Sequence, residues 1–166
     1  SLWGLALSGC APARDWRTMT VPDTALQAQF PCRPTGMTRE VSLAGTPARW
    51  TLHACDAQGM TFGVAWAELA PGVRTEAVLD GLAQQARSNL RAEPAVPPQA
   101  ASVPGMTPNR AAHWWHWQGH APSGQALAQQ QLLFVHGTRV FQASVVGGTV
   151  DGVAARAFFD ALQVRP

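Results

Sequence analysis

The hydrophobic period of this chain changes twice, and that change constrains its fold more than any other feature. Between residues 26 and 66 apolar side chains recur at every second position, as Leu26, Ala28 and Phe30, then Trp50, Leu52 and Ala54, then Met60, Phe62, Val64 and Trp66. A period of two marks strands buried on one face. Over residues 75–90 Val78, Leu82, Ala86 and Leu90 recur at every fourth position, with Leu79 and Ala83 beside them. Glu76, Asp80, Gln84, Gln85 and Arg87 lie off that row, so the segment is an amphipathic helix of about four turns. Thr75 is the expected N-cap, with acids in the first half of the helix.

Turn-forming residues punctuate the first run. Residues 16–21 form a short strand before Pro22, and residues 26–30 form one that stops at Pro31. Residues 39–43 and 48–55 flank Ala44-Gly45-Thr46-Pro47, a hairpin loop by composition. In the second of these, Trp50, Leu52 and Ala54 share one face while Arg49, Thr51 and His53 share the other. Asp56-Ala57-Gln58-Gly59 is the next turn. After the helix, residues 93–108 hold Pro94, Pro97, Pro98, Pro104 and Pro108 and read as a long irregular connection.

The period of two then returns. Residues 111–119 form a strand rich in Trp and His, and a loop follows around Pro122-Ser123-Gly124. Residues 127–135 are apolar on both faces at Leu132, Leu133, Phe134 and Val135, which suits a central strand. Gly137-Thr138 predicts a two-residue type II′ turn into a strand over 140–146. Asp151 is placed to cap a closing helix that buries Ala154, Ala155, Phe158, Phe159 and Leu162. Strands, a helix, strands and a helix imply an α+β fold, with an antiparallel sheet of about six to seven strands covered by two helices. With the strand end Phe30-Pro31-Cys32-Arg33-Pro34, this order resembles the PsbP-like α/β/α sandwich and small uncharacterised envelope lipoproteins. The resemblance implies a fold and leaves function open.

Residues 1–10 bear on location. Leu7-Ser8-Gly9-Cys10 closes an apolar run and resembles the lipobox of bacterial lipoproteins. In that family the Cys is acylated and becomes the mature N-terminus. The resemblance implies that residues 1–9 are the remnant of a signal peptide, that Cys10 is lipidated, that residues 10–17 are a tether and that residues 18–166 are one domain. The apolar run is far shorter than the about 20 residues that cross a bilayer. An acylated Cys10 would anchor the chain through its methylenes, at about 0.8 kcal/mol each. The expected partners are therefore the membrane, through that lipid, and an envelope protein. The expected location is the periplasmic face of the inner or outer membrane.

Cys32 and Cys55 remain as a pair, and an even pair in an exported protein suggests a disulfide. Free thiols are the alternative. A Cys55 nucleophile served by His53 is disfavoured, because side chains two apart on a strand stand about 6.5 Å apart. The net charge of +2 is carried by 12 Arg without Lys, scattered from Arg14 to Arg165. No basic stripe marks the chain for nucleic acid.

The densest unusual stretch is His113-Trp114-Trp115-His116-Trp117-Gln118-Gly119-His120. On a strand His113, Trp115 and Trp117 point one way while Trp114, His116 and His120 point the other. His116 and His120 then stand about 13 Å apart, too far to share one metal ion. We expect this strand to be chiefly structural, with Trp115 or Trp117 buried against a helix. Trp114, His116 and His120 are the candidate binding surface. The sequence holds no nucleophile elbow, zinc-protease motif, P-loop or dinucleotide-binding glycine motif. The expectation is accordingly a non-enzymatic envelope lipoprotein, without cofactor or metal, that binds a protein or assists assembly. A small-ligand or metal-binding periplasmic lipoprotein is the alternative.

Overall fold

The structure, a computed structural model, describes residues 16–166. Cys10, the signal remnant and nearly all of the tether lie outside the described residues. The elements run β1 (Arg17–Thr20), β2 (Leu26–Phe30), β3 (Thr35–Leu43), β4 (Thr46–Ala57), β5 (Met60–Glu68) and α1 (Thr75–Leu90). They continue through β6 (Glu93–Pro94), β7 (Gln99–Ala100), β8 (His113–His120), β9 (Ala126–His136), β10 (Arg139–Gly147), α2 (Gly152–Asp160) and β11 (Gln163–Val164). The α+β class is as expected, with two helices and a large antiparallel sheet.

That sheet has eight strands rather than six to seven, ordered β3-β4-β5-β10-β9-β8-β6 with β7 also paired to β8. The supposed irregular connection supplies β6 and β7, which pair along the outer edge of β8. Pro94 is tolerated in β6 because an edge strand has one side free of the ladder. Strands β1 and β2 leave the large sheet and form a second, three-stranded sheet with β11.

The turns are tighter than their composition suggested. Leu43 pairs with Thr46 across Ala44-Gly45, both at positive φ (50° and 78°), which defines a two-residue type I′ turn. Pro47 therefore belongs to β4. Gln58-Gly59 repeats the geometry with φ of 52° and 76°. At Gly137-Thr138 only the glycine has positive φ, as type II′ requires.

Thr75 is the first residue of α1 and not its N-cap. Arg74 occupies the cap without a side-chain bond, and the Thr75 hydroxyl accepts instead from Asn109 Nδ2 at 3.0 Å. At α2 the expected cap is present, with Asp151 accepting from the Val153 N–H at 3.0 Å. Leu162 is buried just beyond the helix end.

Cross-strand partners share a face, so the register sorts the core. One face carries Phe62, Val145 and Gln130 as neighbours, with Trp114 and His116 on β8. Here α2 and the small sheet pack. Phe158 meets Phe30 at 5.5 Å and Phe62 at 5.4 Å, and Phe159 meets Trp114 at 5.1 Å. Trp16 closes the layer against Phe62 at 6.0 Å. The opposite face carries Trp117 and Gln131 and is covered by α1, whose Leu82 carbonyl accepts from Gln131 Nε2. The Cys32–Cys55 disulfide joins the end of the small sheet to β4, with Cα atoms 5.9 Å apart.

Candidate functional site

Both faces of the Trp/His strand are occupied. Trp117 is 3% exposed, stacks on Trp115 at 4.7 Å and donates to Gln131 Oε1 at 2.9 Å. Trp115 is half-buried, and both indoles line a small cavity with Asp80, Ala83, Gln84 and Arg87 of α1. The expectation of at least one tryptophan buried against a helix holds at Trp117. On the other face Trp114 lies under Phe159 and Arg156 of α2. Trp114 also donates from Nε1 to Gln130 and stands 5.5 Å from the His116 ring.

The candidate surface residues therefore have different surroundings. Trp114 and His116 are half-buried and His120 is exposed at the strand end. Burial pushes the His116 pKa down, because the imidazolium loses hydration there. His116 borders a cavity of about 240 Å³ with Gln130 and Val150. Among the described residues no three His, Cys, Asp or Glu side chains gather in a way that would hold a metal ion.

A larger cleft lies elsewhere, on the α2 face of the sheet. It measures about 800 Å³ and is lined by strands β3, β4 and β5 and by the segments just after β5 and β9. Its apolar lining includes Trp66, Pro47, Ala48, Leu69 and Pro71. Thr38 and Thr51 line it as well and share a hydrogen bond at 2.9 Å. Asp23, Glu40, Arg49 and Glu68 add charge.

A single cross-strand pair stiffens one wall. Arg139 faces Glu68 in register and bonds it through Nε at 2.8 Å, while its guanidinium sits 5.1 Å above the Trp66 ring. A second Arg139 nitrogen donates to the Asp23 carbonyl, and the Thr138 hydroxyl donates to Glu68. The Thr138 bond first and then Arg139 hold the Glu68 carboxyl below the usual carboxylate range. This arrangement fixes the indole between a guanidinium and the sheet.

Among the described residues, two buried polar atoms on this same face, Trp66 Nε1 and His53 Nε2, have no hydrogen-bond partner. Thr51 pairs directly with Trp66, which places His53 diagonally across from the indole. Sequence reading missed Trp66 because it follows Phe62 and Val64 in an unbroken alternation. The available signal was Glu68 two residues on, facing Arg139 just past the predicted hairpin turn. No protein-family model matches this chain, and a search of curated proteins finds no relative.

Proposed function

We propose that this protein is a non-enzymatic lipoprotein of the cell envelope, anchored through Cys10, which binds a protein partner through the Trp66 cleft. The membrane address rests on the lipobox-like Leu7-Ser8-Gly9-Cys10. The order of elements and the helices on opposite faces of one sheet support a likeness to the PsbP-like sandwich. Among the described residues no helix is long and apolar enough to cross a membrane. In this reading a lipid at Cys10 is the anchor.

The cleft itself carries the binding reading. Aromatic side chains with charged neighbours dominate protein-binding hot spots, and the Arg139-braced Trp66 is one. A small ligand is the second reading, because about 800 Å³ falls within the usual range of ligand pockets. The Trp114, His116 and His120 surface stays secondary, since α2 already covers Trp114.

Two experiments test this. A fatty-acid analogue fed to cells is expected to label the wild type and not Cys10→Ala. Equal labelling of both would remove the membrane address. Native mass spectrometry of the detergent-extracted protein is expected to show a protein complex that is lost in Trp66→Ala with an unchanged melting temperature. A small-molecule adduct lost in the same variant would establish the second reading instead.

A further inference from the structure

We propose that β3 receives an extended segment of the partner protein, which adds as a further antiparallel strand and is selected by charge. The proposal rests on the reading of this protein as a protein-binding module and specifies the form of the partner. Strand β3 is the outer strand of the large sheet, nine residues long, and is paired without a bulge from Thr35 opposite Ala54 to Leu43 opposite Thr46. It contains no proline. The other end of the sheet is different, since β8 is already paired with β6 and β7, and prolines lie within and between them. Natural sheets usually shorten, bend or cover an open edge, because it templates pairing.

The turn fixes which groups of β3 are available. In a two-residue hairpin the residues flanking the turn exchange both hydrogen bonds, and such pairs then alternate with unbonded ones. Leu43, Val41, Arg39, Met37 and Thr35 thus direct their backbone toward β4. Pro47 lies opposite Ser42 at an unbonded position, where its missing N–H costs nothing to this ladder. Gly36, Thr38, Glu40 and Ser42 direct N–H and C=O away from the sheet. Among the described residues, none of the backbone bonds outside the strand ladders involves β3. A row of donors and acceptors at this spacing is matched only by another extended chain.

Side chains then narrow the partner. Thr38 and Glu40 line the Trp66 cleft, while Arg39, Val41 and Leu43 line a cavity of about 500 Å³ between β3 and α1. The edge is therefore continuous with an opening on either face of the sheet. At its centre Arg39 and Glu40 point to opposite faces. A second copy pairing about this centre would set Arg39 against Arg39 or Glu40 against Glu40, and like charges directly opposite destabilise a ladder. A strand with a basic residue opposite Glu40 and an acidic one opposite Arg39 makes both contacts favourable. The same two charges oppose self-pairing in the centred registers and favour a partner of complementary sign.

The probe is a fluorescein-labelled, C-terminally amidated peptide, Val-Thr-Lys-Asp-Val-Thr-Val, whose Lys lies opposite Glu40 in the antiparallel register. Anisotropy titration against the full chain is expected to give saturable binding. Exchanging Lys and Asp is expected to weaken it about tenfold, and Glu40→Lys should restore much of the loss for a peptide with Asp at that position. N-methylation of the peptide Lys removes an N–H directed at β3 and is expected to weaken binding by up to about tenfold. N-methylation of the neighbouring Asp, whose N–H points away, is expected to change it little. The charge-exchanged and N-methylated peptides leave the protein unchanged, so its folding is at issue only for Glu40→Lys, whose melting temperature is measured alongside.

Absence of binding by the matched peptide, or equal losses from the two N-methyl peptides, would overturn the proposal. So would a stable dimer of the chain that the peptide does not dissociate. None of these outcomes touches the labelling of Cys10 or the Trp66-dependent complex, so the two readings fail separately.

Discussion

Replacing Trp117 with alanine is expected to destabilise the domain by about 3 to 5 kcal/mol, the usual cost of deleting a large buried aromatic. The side chain is 3% exposed, and its loss leaves a void between Trp115 and α1. A second cost arises at Gln131, itself 1% exposed. Its Nε2 has partners at the Leu82 carbonyl and at Gln142 Oε1, but its Oε1 relies on the Trp117 N–H. An acceptor stranded in the core costs about 1 to 3 kcal/mol. Trp117→Phe separates the two effects, since it keeps most of the volume and removes only the donor. Urea unfolding is expected to rank Trp117→Ala well below Trp117→Phe, with Trp115→Ala costing less than Trp117→Ala because Trp115 is half-buried. A Trp117→Ala variant within 1 kcal/mol of wild type would show that β8 is not structural.

That tryptophan also shows what was legible in the chain. That Trp115 or Trp117 would be buried follows from alternation, because the two share a face and one face must meet a helix. Alternation does not say which; the structure buries Trp117 and leaves Trp115 half-buried. Gln131 was not legible. It closes the run Gln129-Gln130-Gln131, where polarity argues for solvent, and only the placement of α1 over β9 turns the third glutamine inward. The same limit applies to the small sheet. Gln163 pairs with Gln27 across most of the chain, and neither residue carries a local sign of it.

Turn chemistry was read by composition where geometry decides. Ala44 and Gln58 adopt positive φ ahead of a glycine, although neither is a residue that favours it, so both hairpins are tighter than their sequences indicate. The candidate site was hidden for a related reason. Trp66 has the same alternation as Phe62 and Val64, but those two are covered by the layer holding α2, while Trp66 lies beyond it. Which part of a face stays open depends on the size of the layer above it. That layer is set in part by the small sheet, whose strands β1 and β2 are legible in the sequence but whose pairing with β11 apart from the large sheet is not.

Loss of the Cys32–Cys55 bridge is expected to destabilise the protein by roughly 3 kcal/mol, the chain-entropy value for a loop of this size. The bond closes a sequence separation of 23 residues and adds a side-chain cross-link between the two sheets to the main-chain connections, since Cys32 follows β2 and Cys55 lies on β4. For a domain of this size that corresponds to a fall in melting temperature of about 6 to 12 °C. The effect should be uneven. Phe30, Phe158 and Phe62 still clamp the layers after reduction, so the core of β5, β9 and β10 should stay protected. Strands β1 and β2 are joined to the rest by fewer contacts and should open first. Hydrogen exchange of the Cys32→Ala, Cys55→Ala double variant is therefore expected to accelerate at residues 17–30 before the melting transition. An unchanged melting temperature, with both thiols shown to be free in the reduced wild type, would mean that packing and hydrogen bonds hold the two sheets together without the bridge.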